Sequence, residues 1–186
     1  MRPHSKNILL TAITLIAAFL TVSYVSCKKN GDSNGYKCVV CANGGQCIKD
    51  TCRCPAGYED LQCATVSRDK FLGLRNVYEK GSNSNPSQYA VTVIKGAAIT
   101  DVSIINFYNY FTVPVTGTVL GDTLYIPSQN VQGNTIVGIG YAYSDSTYGT
   151  YGTISMRYEV IDFAAHITND FGYITGDSSA PSIWHL

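Results

Sequence analysis

A cluster of cysteines near the front of the chain limits how this part can fold. Six of the seven cysteines lie between Cys38 and Cys63, and none follows. The residues between them offer too few apolar side chains for a hydrophobic core, so cross-links must hold the segment. Zinc is the other common use of clustered cysteines, but six cysteines with no histidine among them fit it poorly. We expect a small disulfide-bonded module, no metal, and an oxidising compartment.

The cysteine spacing is C-x2-C-x5-C-x4-C-x-C-x8-C, with a Gly-Gly pair before the third cysteine and Gly-Tyr after the fifth. This pattern resembles that of EGF-like domains. Six cysteines allow 15 pairings, and the resemblance implies Cys38–Cys47, Cys41–Cys52 and Cys54–Cys63. Each such bridge would close a loop of roughly ten residues and contribute on the order of 2.5 to 3 kcal/mol.

Glycine and aspartate have backbone roles in this module. Gly44 and Gly45 can adopt left-handed turn angles before a short strand, and Gly57 lets the chain bend ahead of Tyr58. At the last glycine usual in EGF-like domains this chain has Asp60, which tolerates the left-handed region better than most residues. The segment 34–37, NGYK, lacks the oxygen ligands that calcium requires. We expect a structural, calcium-independent module without a cofactor.

The first 26 residues have the layout of an export signal. Basic residues precede an apolar run from residue 8 to about residue 25, and Cys27 follows. The sequence Val25-Ser26-Cys27 resembles the lipobox of bacterial lipoproteins, although Tyr24 stands where an aliphatic residue is usual. A cysteine that carries diacylglycerol and an N-acyl chain has the two or more chains needed for stable anchoring. The resemblance implies a signal peptide at 1–26 and lipidation of Cys27.

Two other interpretations of this front segment stay open. The apolar run is about long enough to span a bilayer as an uncleaved signal anchor, and Cys27 could be a free or intermolecular thiol after ordinary cleavage. Residues 28–37, KKNGDSNGYK, have the composition of a flexible tether. The lysine pair is similar to that of Bacteroidetes-type lipoproteins, which implies an outer-membrane anchor on either the surface or the periplasmic face.

From residue 64 onward, apolar and polar residues alternate between turns rich in Gly, Asn, Ser and Pro, a pattern typical of half-buried strands. The pair Gly121-Asp122 predicts a two-residue hairpin turn. The sequence therefore predicts an all-β protein, with an EGF-like module at 38–63 and an antiparallel barrel or sandwich of about seven to eight strands at 64–186. The predicted strands are 71–79, 89–95, 102–108, 113–120, 123–126, 135–143, 153–162 and 166–174.

Alternation also predicts which residues of three strands share one core. Missing side chains at Gly138 and Gly140, placed on the opposite face, would allow sharp coiling or close approach of another sheet. The residues predicted to face the core are Tyr89, Val91, Val93, Val137, Ile139, Tyr141, Tyr143, Ile154, Met156, Tyr158 and Val160.

Charge and motifs exclude several functions. The chain has 13 basic and 13 acidic residues and no basic stripe, so we expect no nucleic-acid partner. A hydrolytic triad would need His166 or His185, and although Asp162 lies near His166, no recognisable nucleophile motif accompanies them. We therefore predict no catalytic residues. Tyr148 and Tyr151, in the turn 146–152, are the candidate ligand contacts because tyrosine rings with a polar handle bind sugars and peptides.

These observations predict an envelope lipoprotein with a binding or interaction role, in which the EGF-like module spaces or presents the β-domain. Its expected partners are the membrane, through the lipid anchor, and a protein, a glycan or a small apolar ligand. The segment Lys70-Phe71-Leu72-Gly73 is similar to the first strand of lipocalin-like barrels, which implies a carrier of a small apolar ligand as an alternative. A hydrolase of glycans or esters is the third interpretation.

We predict that Cys27→Ser releases the protein from membranes, because the substitution removes the only thiol available for lipidation outside the cysteine cluster. Fractionation of cells that express the variant tests this, and the module should stay intact. Full membrane retention of Cys27→Ser would favour the uncleaved signal anchor instead.

Overall fold

We obtained a computed structural model that describes residues 40–174 and 179–186. The leader, Cys27, the tether and Cys38 lie outside the described residues. Within them the chain forms strands and no α-helix, apart from two short 3-10 turns at Ser67–Lys70 and Phe107–Asn109. The strands are β1 Gln46–Ile48, β2 Thr51–Arg53, β3 Tyr58–Glu59, β4 Thr65–Val66, β5 Gly73–Glu79, β6 Ser87–Lys95, β7 Asp101–Ile105, β8 Val115–Leu120, β9 Thr123–Val131, β10 Asn134–Asp145, β11 Gly149–Asp162, β12 Ile167–Asp170 and β13 Ser182–His185.

Eight antiparallel strands close into a barrel. They follow one another in the order β10, β9, β8, β7, β6, β5, β13 and β11, and the pairing of β11 with β10 closes the ring. The long strand β11 meets two short strands on its other edge, since residues 153–156 pair with β13 and residues 159–162 pair with β12. Because the ring is closed, it has no unpaired sheet edge, and each alternating strand can turn its apolar face toward the interior. The prediction of an all-β fold is confirmed, and the architecture is a barrel.

Seven predicted strands correspond to β5 through β11, and the hairpin turn at Gly121-Asp122 joins β8 to β9 with Leu120 opposite Thr123. The predicted strand 166–174 is the shorter β12, which lies beside the ring. The eighth strand of the ring is β13, which the sequence pattern did not predict. Its four residues are too few for alternation to stand out, yet β13 inserts between β11 and β5.

The predicted faces of β10 are wrong. Gly138 and Gly140 point into the barrel, whereas Tyr141 and Tyr143 are exposed on its outer wall. A Cβ atom on Gly138 would lie 2.6 Å from the Cβ of Tyr158, so the inner face of β10 has no room for a side chain there. Tyrosine has a high strand preference on either face, and its hydroxyl makes the outer wall a favourable place. The predicted inner faces of β6 and β11 are confirmed.

Two of the disulfides that hold the cysteine module, by which we mean residues 40–63, lie wholly within the described residues. The bonded pairs are Cys41–Cys52 and Cys54–Cys63, the pairs that the EGF-like resemblance implies. Cys47 is also disulfide-bonded, and its predicted partner Cys38 lies outside the described residues. β1 and β2 form a hairpin in which Cys47 stands opposite Cys52.

Asp60 occupies the left-handed conformation predicted for it, with φ of 73°. Its carboxylate caps the turn that follows, accepting from the backbone N–H of Gln62 at 2.7 Å and from the hydroxyl of Thr65 at 2.6 Å. These hydrogen bonds lower the pKa of Asp60 to about 2. Where EGF-like domains usually have a glycine, this chain therefore has an aspartate whose side chain orders the turn.

The predicted turn residues occupy turns or close approaches. Gly44 has φ of 78° and Gly57 has φ of 87°, both left-handed. A Cβ on Gly45 would lie 2.8 Å from the Sγ of Cys63, so the bridge needs glycine there. Tyr58 begins β3, opposite Val66 of β4.

The cysteine module contacts the barrel directly. β4 follows Cys63 but pairs with β3 inside the module, and a Cβ on Gly57 would lie 2.8 Å from the side chain of Ile99. Lys70, at the end of the first 3-10 turn, forms ion pairs with Glu59 of the module at 2.7 Å and with Asp122 of the β8–β9 turn. This junction places β4 beside the end of the barrel where β5 begins.

We predict that Gly138→Ala lowers the free energy of unfolding by about 1 to 3 kcal/mol, because the added methyl group would overpack against Tyr158. The matched control is Val137→Ala on the outer face of the same strand, which should cost about 1 kcal/mol or less, since the outer wall is partly solvated. Urea unfolding of both variants measures the difference. A larger loss for Val137→Ala would contradict the inward orientation of Gly138.

Candidate functional site

Side chains fill the interior of the barrel. Its core comprises buried aromatic and aliphatic residues from every strand of the ring, together with rings from the two loops that cover the barrel. The larger members are Phe71, Phe107, Phe111, Leu124, Ile136, Met156, Tyr158, Phe171 and Trp184. Binding surfaces among the described residues must therefore be sought at the rim and on the outer wall.

One acidic group is buried in this core. The carboxylate of Glu79 accepts hydrogen bonds from the hydroxyls of Tyr89 at 2.7 Å, Tyr158 at 2.8 Å and Ser182 at 2.6 Å. The indole N–H of Trp184 donates in turn to the Ser182 hydroxyl at 2.8 Å. These groups come from β5, β6, β11 and β13, so one carboxylate links four strands. No cation among the described residues forms an ion pair with it.

The environment of Glu79 changes its acidity. Burial raises the pKa of Glu79 above its ordinary value, and the three hydroxyl donors offset part of that rise. The same burial and the nearby carboxylate raise the pKa values of Tyr89 and Tyr158, which keeps both as neutral donors. Because its hydrogen-bond donors are held by four packed strands, this cluster has the character of a structural network.

A basic group, Arg75, stands on the same inner face of β5. It is 1% exposed, and its guanidinium donates to the carbonyls of Tyr151 and Gly152, both at 3.1 Å, and of Lys70 at 2.8 Å. Burial lowers the pKa of Arg75 to about 10, so the group still carries its charge at neutral pH. Its Nε atom has no hydrogen-bond partner.

A rim pocket of about 300 Å³ adjoins Arg75. Thr65 and Val66 of β4, Lys70 and Leu72 ahead of β5, and residues at the start of β11 form its walls. Tyr151, one of the two predicted ligand contacts, is half-buried in this wall, and the Nζ of Lys70 lies 4.8 Å from the centre of its ring. Asp69, Arg75 and Leu186 complete the lining.

Tyr148, the other predicted ligand contact, lies elsewhere, on the outer wall. Its ring stacks on the imidazole of His185 with centroids 3.9 Å apart, and the ring of Tyr78 approaches the same imidazole at 5.8 Å. The turn that carries Tyr148 is held by Asp145, whose carboxylate accepts from the backbone N–H groups of Thr147 at 2.8 Å and Tyr148 at 2.7 Å. The structure therefore separates the two predicted tyrosines.

Hydrogen bonds fix the tautomer of His185. The hydroxyl of Thr153 donates to Asp145 and lies 3.1 Å from Nδ1 of His185. The hydrogen bond from Thr153 and those from the turn lower the pKa of Asp145, so this carboxylate is an acceptor and takes the single hydroxyl proton. The threonine oxygen then accepts from Nδ1–H, and in this tautomer Nε2 is the acceptor nitrogen.

Four exposed tyrosines lie beside this histidine or in the outward rows of its neighbouring strands, and we call them the tyrosine surface. Cross-strand partners share a face, and the pairs Tyr141–Ser155, Ser155–Ile183 and Ile183–Tyr78 form one outward row. Tyr143 stands opposite Thr153, which stands opposite His185, in the next row. The members are Tyr78, Tyr141, Tyr143 and Tyr148, each between 39% and 45% exposed.

The residues considered for hydrolysis do not form a catalytic arrangement. The carboxylate of Asp162 accepts from the backbone N–H groups of Ala164 and Ala165, both at 2.9 Å, and so caps its own turn. His166 is exposed in that turn with φ of 55°, and no hydrogen bond among the described residues joins it to Asp162. Within the same part of the chain, no group of three or more His, Cys, Asp or Glu side chains is placed to hold a metal ion.

Sequence reasoning missed Glu79 and assigned no binding role to His185. Alternation from Val77 would have placed Glu79 inside the barrel, since the two residues have the same parity in β5. No comparable signal marks His185, because its contacts with Thr153 and Tyr148 join segments that are far apart in the chain.

Comparison with known protein families, with curated proteins and with solved structures finds no match to this chain. In residues 40–174 and 179–186, no helix has the length and apolar character that crossing a bilayer would require.

We predict that the Glu79 carboxyl makes the protein less stable as pH rises from about 4.5. Because its pKa is raised on folding, the folded chain binds the proton more tightly, and the stability from that proton is lost as pH passes the folded-state pKa. Urea unfolding from pH 4.5 to 8 should show this slope in the wild type and a flatter one in Glu79→Gln.

Tyr158→Phe provides the matched variant, since it keeps the ring and removes one donor. Losing that donor should raise the pKa of Glu79 further and extend the slope to higher pH. A wild-type stability that rises relative to Glu79→Gln over this range would contradict the prediction.

Proposed function

We propose that this protein is an exported, lipid-anchored envelope protein that binds a neutral glycan through the tyrosine surface of its barrel. The observation that carries the proposal is the row of half-exposed tyrosines on neighbouring strands around a histidine with an acceptor nitrogen. A filled interior supports placing the ligand outside the barrel, which favours this interpretation over a carrier of small apolar molecules.

The chemistry of the surface suits a hydroxylated chain. Tyrosine rings pack against the C–H faces of sugars, and their hydroxyls exchange hydrogen bonds with sugar hydroxyls. Nε2 of His185 offers an acceptor for one more ligand hydroxyl at the centre of the surface. Tyr143 on β10 and His185 on β13 are two strand spacings apart, or roughly 10 Å along the wall, enough for a short oligosaccharide.

Charge supports a neutral ligand. Asp145 is occupied by its own turn and by Thr153. Arg157, opposite Ile139 at the edge of the surface, donates to the carbonyl of Gly172 at 2.8 Å. The remaining positions in the two outward rows are serine, threonine, asparagine and isoleucine.

In this proposal, the front of the chain holds the tyrosine surface at the outer membrane. In the proposal, Cys27 carries the lipid, residues 28–37 are the tether, and the EGF-like module spaces the barrel from the outer membrane. The contacts of Glu59 with Lys70 and of Gly57 with Ile99 support a presenter that holds the barrel in one orientation relative to the module.

We predict that Tyr141→Ala and Tyr143→Ala each weaken glycan binding about 3- to 10-fold, because each removes a stacking ring worth about 0.5 to 1.5 kcal/mol. An array of neutral oligosaccharides identifies the best ligand, and calorimetry with that oligosaccharide measures the loss. Both side chains lie on the outer wall, so urea unfolding should change little.

Tyr110→Ala is the control, because Tyr110 is 60% exposed, lies outside the tyrosine surface and packs on Phe111. It should bind like the wild type. An equal loss in Tyr110→Ala, or an array on which only peptides or apolar molecules bind, would overturn the proposal.

A further inference from the structure

The rim pocket is separate from the tyrosine surface and has its own chemistry. Its walls combine polar and charged residues with three aliphatic side chains, which are Val66 from β4, Leu72 from the approach to β5, and Leu186 beyond β13. The ring of Tyr151 also lines the pocket. A volume of about 300 Å³ is at the lower end of the range for small-molecule sites.

Arg75 brings a positive charge to the barrel end of this pocket. All its hydrogen bonds go to backbone carbonyls, and no carboxylate among the described residues lies within ion-pair distance. Three of its five N–H groups are used in this way, and Nε has no partner although the residue is 1% exposed. Buried cations are normally paired, so Arg75 is a charge that lacks its counterpart.

The other charges near the pocket have their partners. Lys70 pairs with Glu59 and Asp122, and Asp69 lies 3.7 Å from Lys95. The side chain of Asp122 is 59% exposed, so water screens the second of the two carboxylates on Lys70. Arg75 is the least exposed of the charged residues in the lining, so water screens its charge least and it contributes most to the electrostatic field inside the pocket.

We propose that the rim pocket binds a small molecule with a carboxylate on a short apolar chain. The carboxylate takes the place of the missing counter-ion and accepts from Arg75, while the chain packs against Leu72, Val66 and Leu186. A charge-assisted hydrogen bond to a buried guanidinium is strong enough to distinguish the acid from an uncharged analogue.

The test uses hexanoate and its uncharged analogue hexanamide as probes of the ¹⁵N-labelled protein. Hexanoate should shift the Nε–H signal of Arg75 and the backbone amides of Thr150, Tyr151 and Gly152 in a saturable way. Hexanamide should bind at least about tenfold more weakly, since it cannot supply the negative charge. Measurements at constant ionic strength separate binding from salt effects.

Thr150→Trp is the blocking variant, because Thr150 is exposed at the rim and a large ring there would occupy the pocket without touching the core. It should abolish the hexanoate shifts and leave glycan binding unchanged. Equal binding of hexanoate and hexanamide, the absence of a saturable shift, or undiminished binding to Thr150→Trp would each overturn the proposal.

Discussion

The closed barrel depends on one carboxylate held by hydroxyl groups. Glu79 ends β5, and the hydroxyls that bind it come from β6, β11 and β13, so its hydrogen bonds tie together the strands on both sides of the insertion point of β13. β13 is only four residues long, and its backbone pairing alone is a weak link. Ser182 and Trp184 give it a side-chain attachment in the core. Removing water from a carboxylate costs free energy, and three directed donors offset that cost.

Much of the fold could be predicted because strand alternation is a local signal. Seven strands and the Gly121-Asp122 turn follow from residues close in sequence, and two of the disulfide pairs follow from the resemblance to EGF-like domains. The faces of β10 could not be predicted in this way. Which side of β10 is inner depends on the volume that Tyr158 and Met156 occupy on the neighbouring strand β11, and glycine is the only residue that leaves them room. Hydrophobicity alone assigns such a strand to the wrong face.

The candidate site was harder to predict for a related reason. Tyr148 was predicted as a ligand contact and lies on the exposed wall, but Tyr151, three residues later, faces the rim pocket. The backbone at Tyr151 has φ of 53°, and this left-handed residue redirects the chain between the two. His185 gains its fixed tautomer only through Thr153 and Asp145, which strand pairing brings to it. Contacts of this kind depend on the register in which distant strands pair, and no local sequence motif reveals that register.

The two disulfides within the described residues have a mechanical consequence. A pull on the chain ahead of Cys41 passes across Cys41–Cys52 and then across Cys54–Cys63, so it bypasses the loops that these bridges close. The load leaves the cysteine module at Cys63 and follows the chain through β4 and the first 3-10 turn into β5, the first strand of the barrel. Pulling on the module therefore loads the barrel at β5 before it can extend the bridged loops.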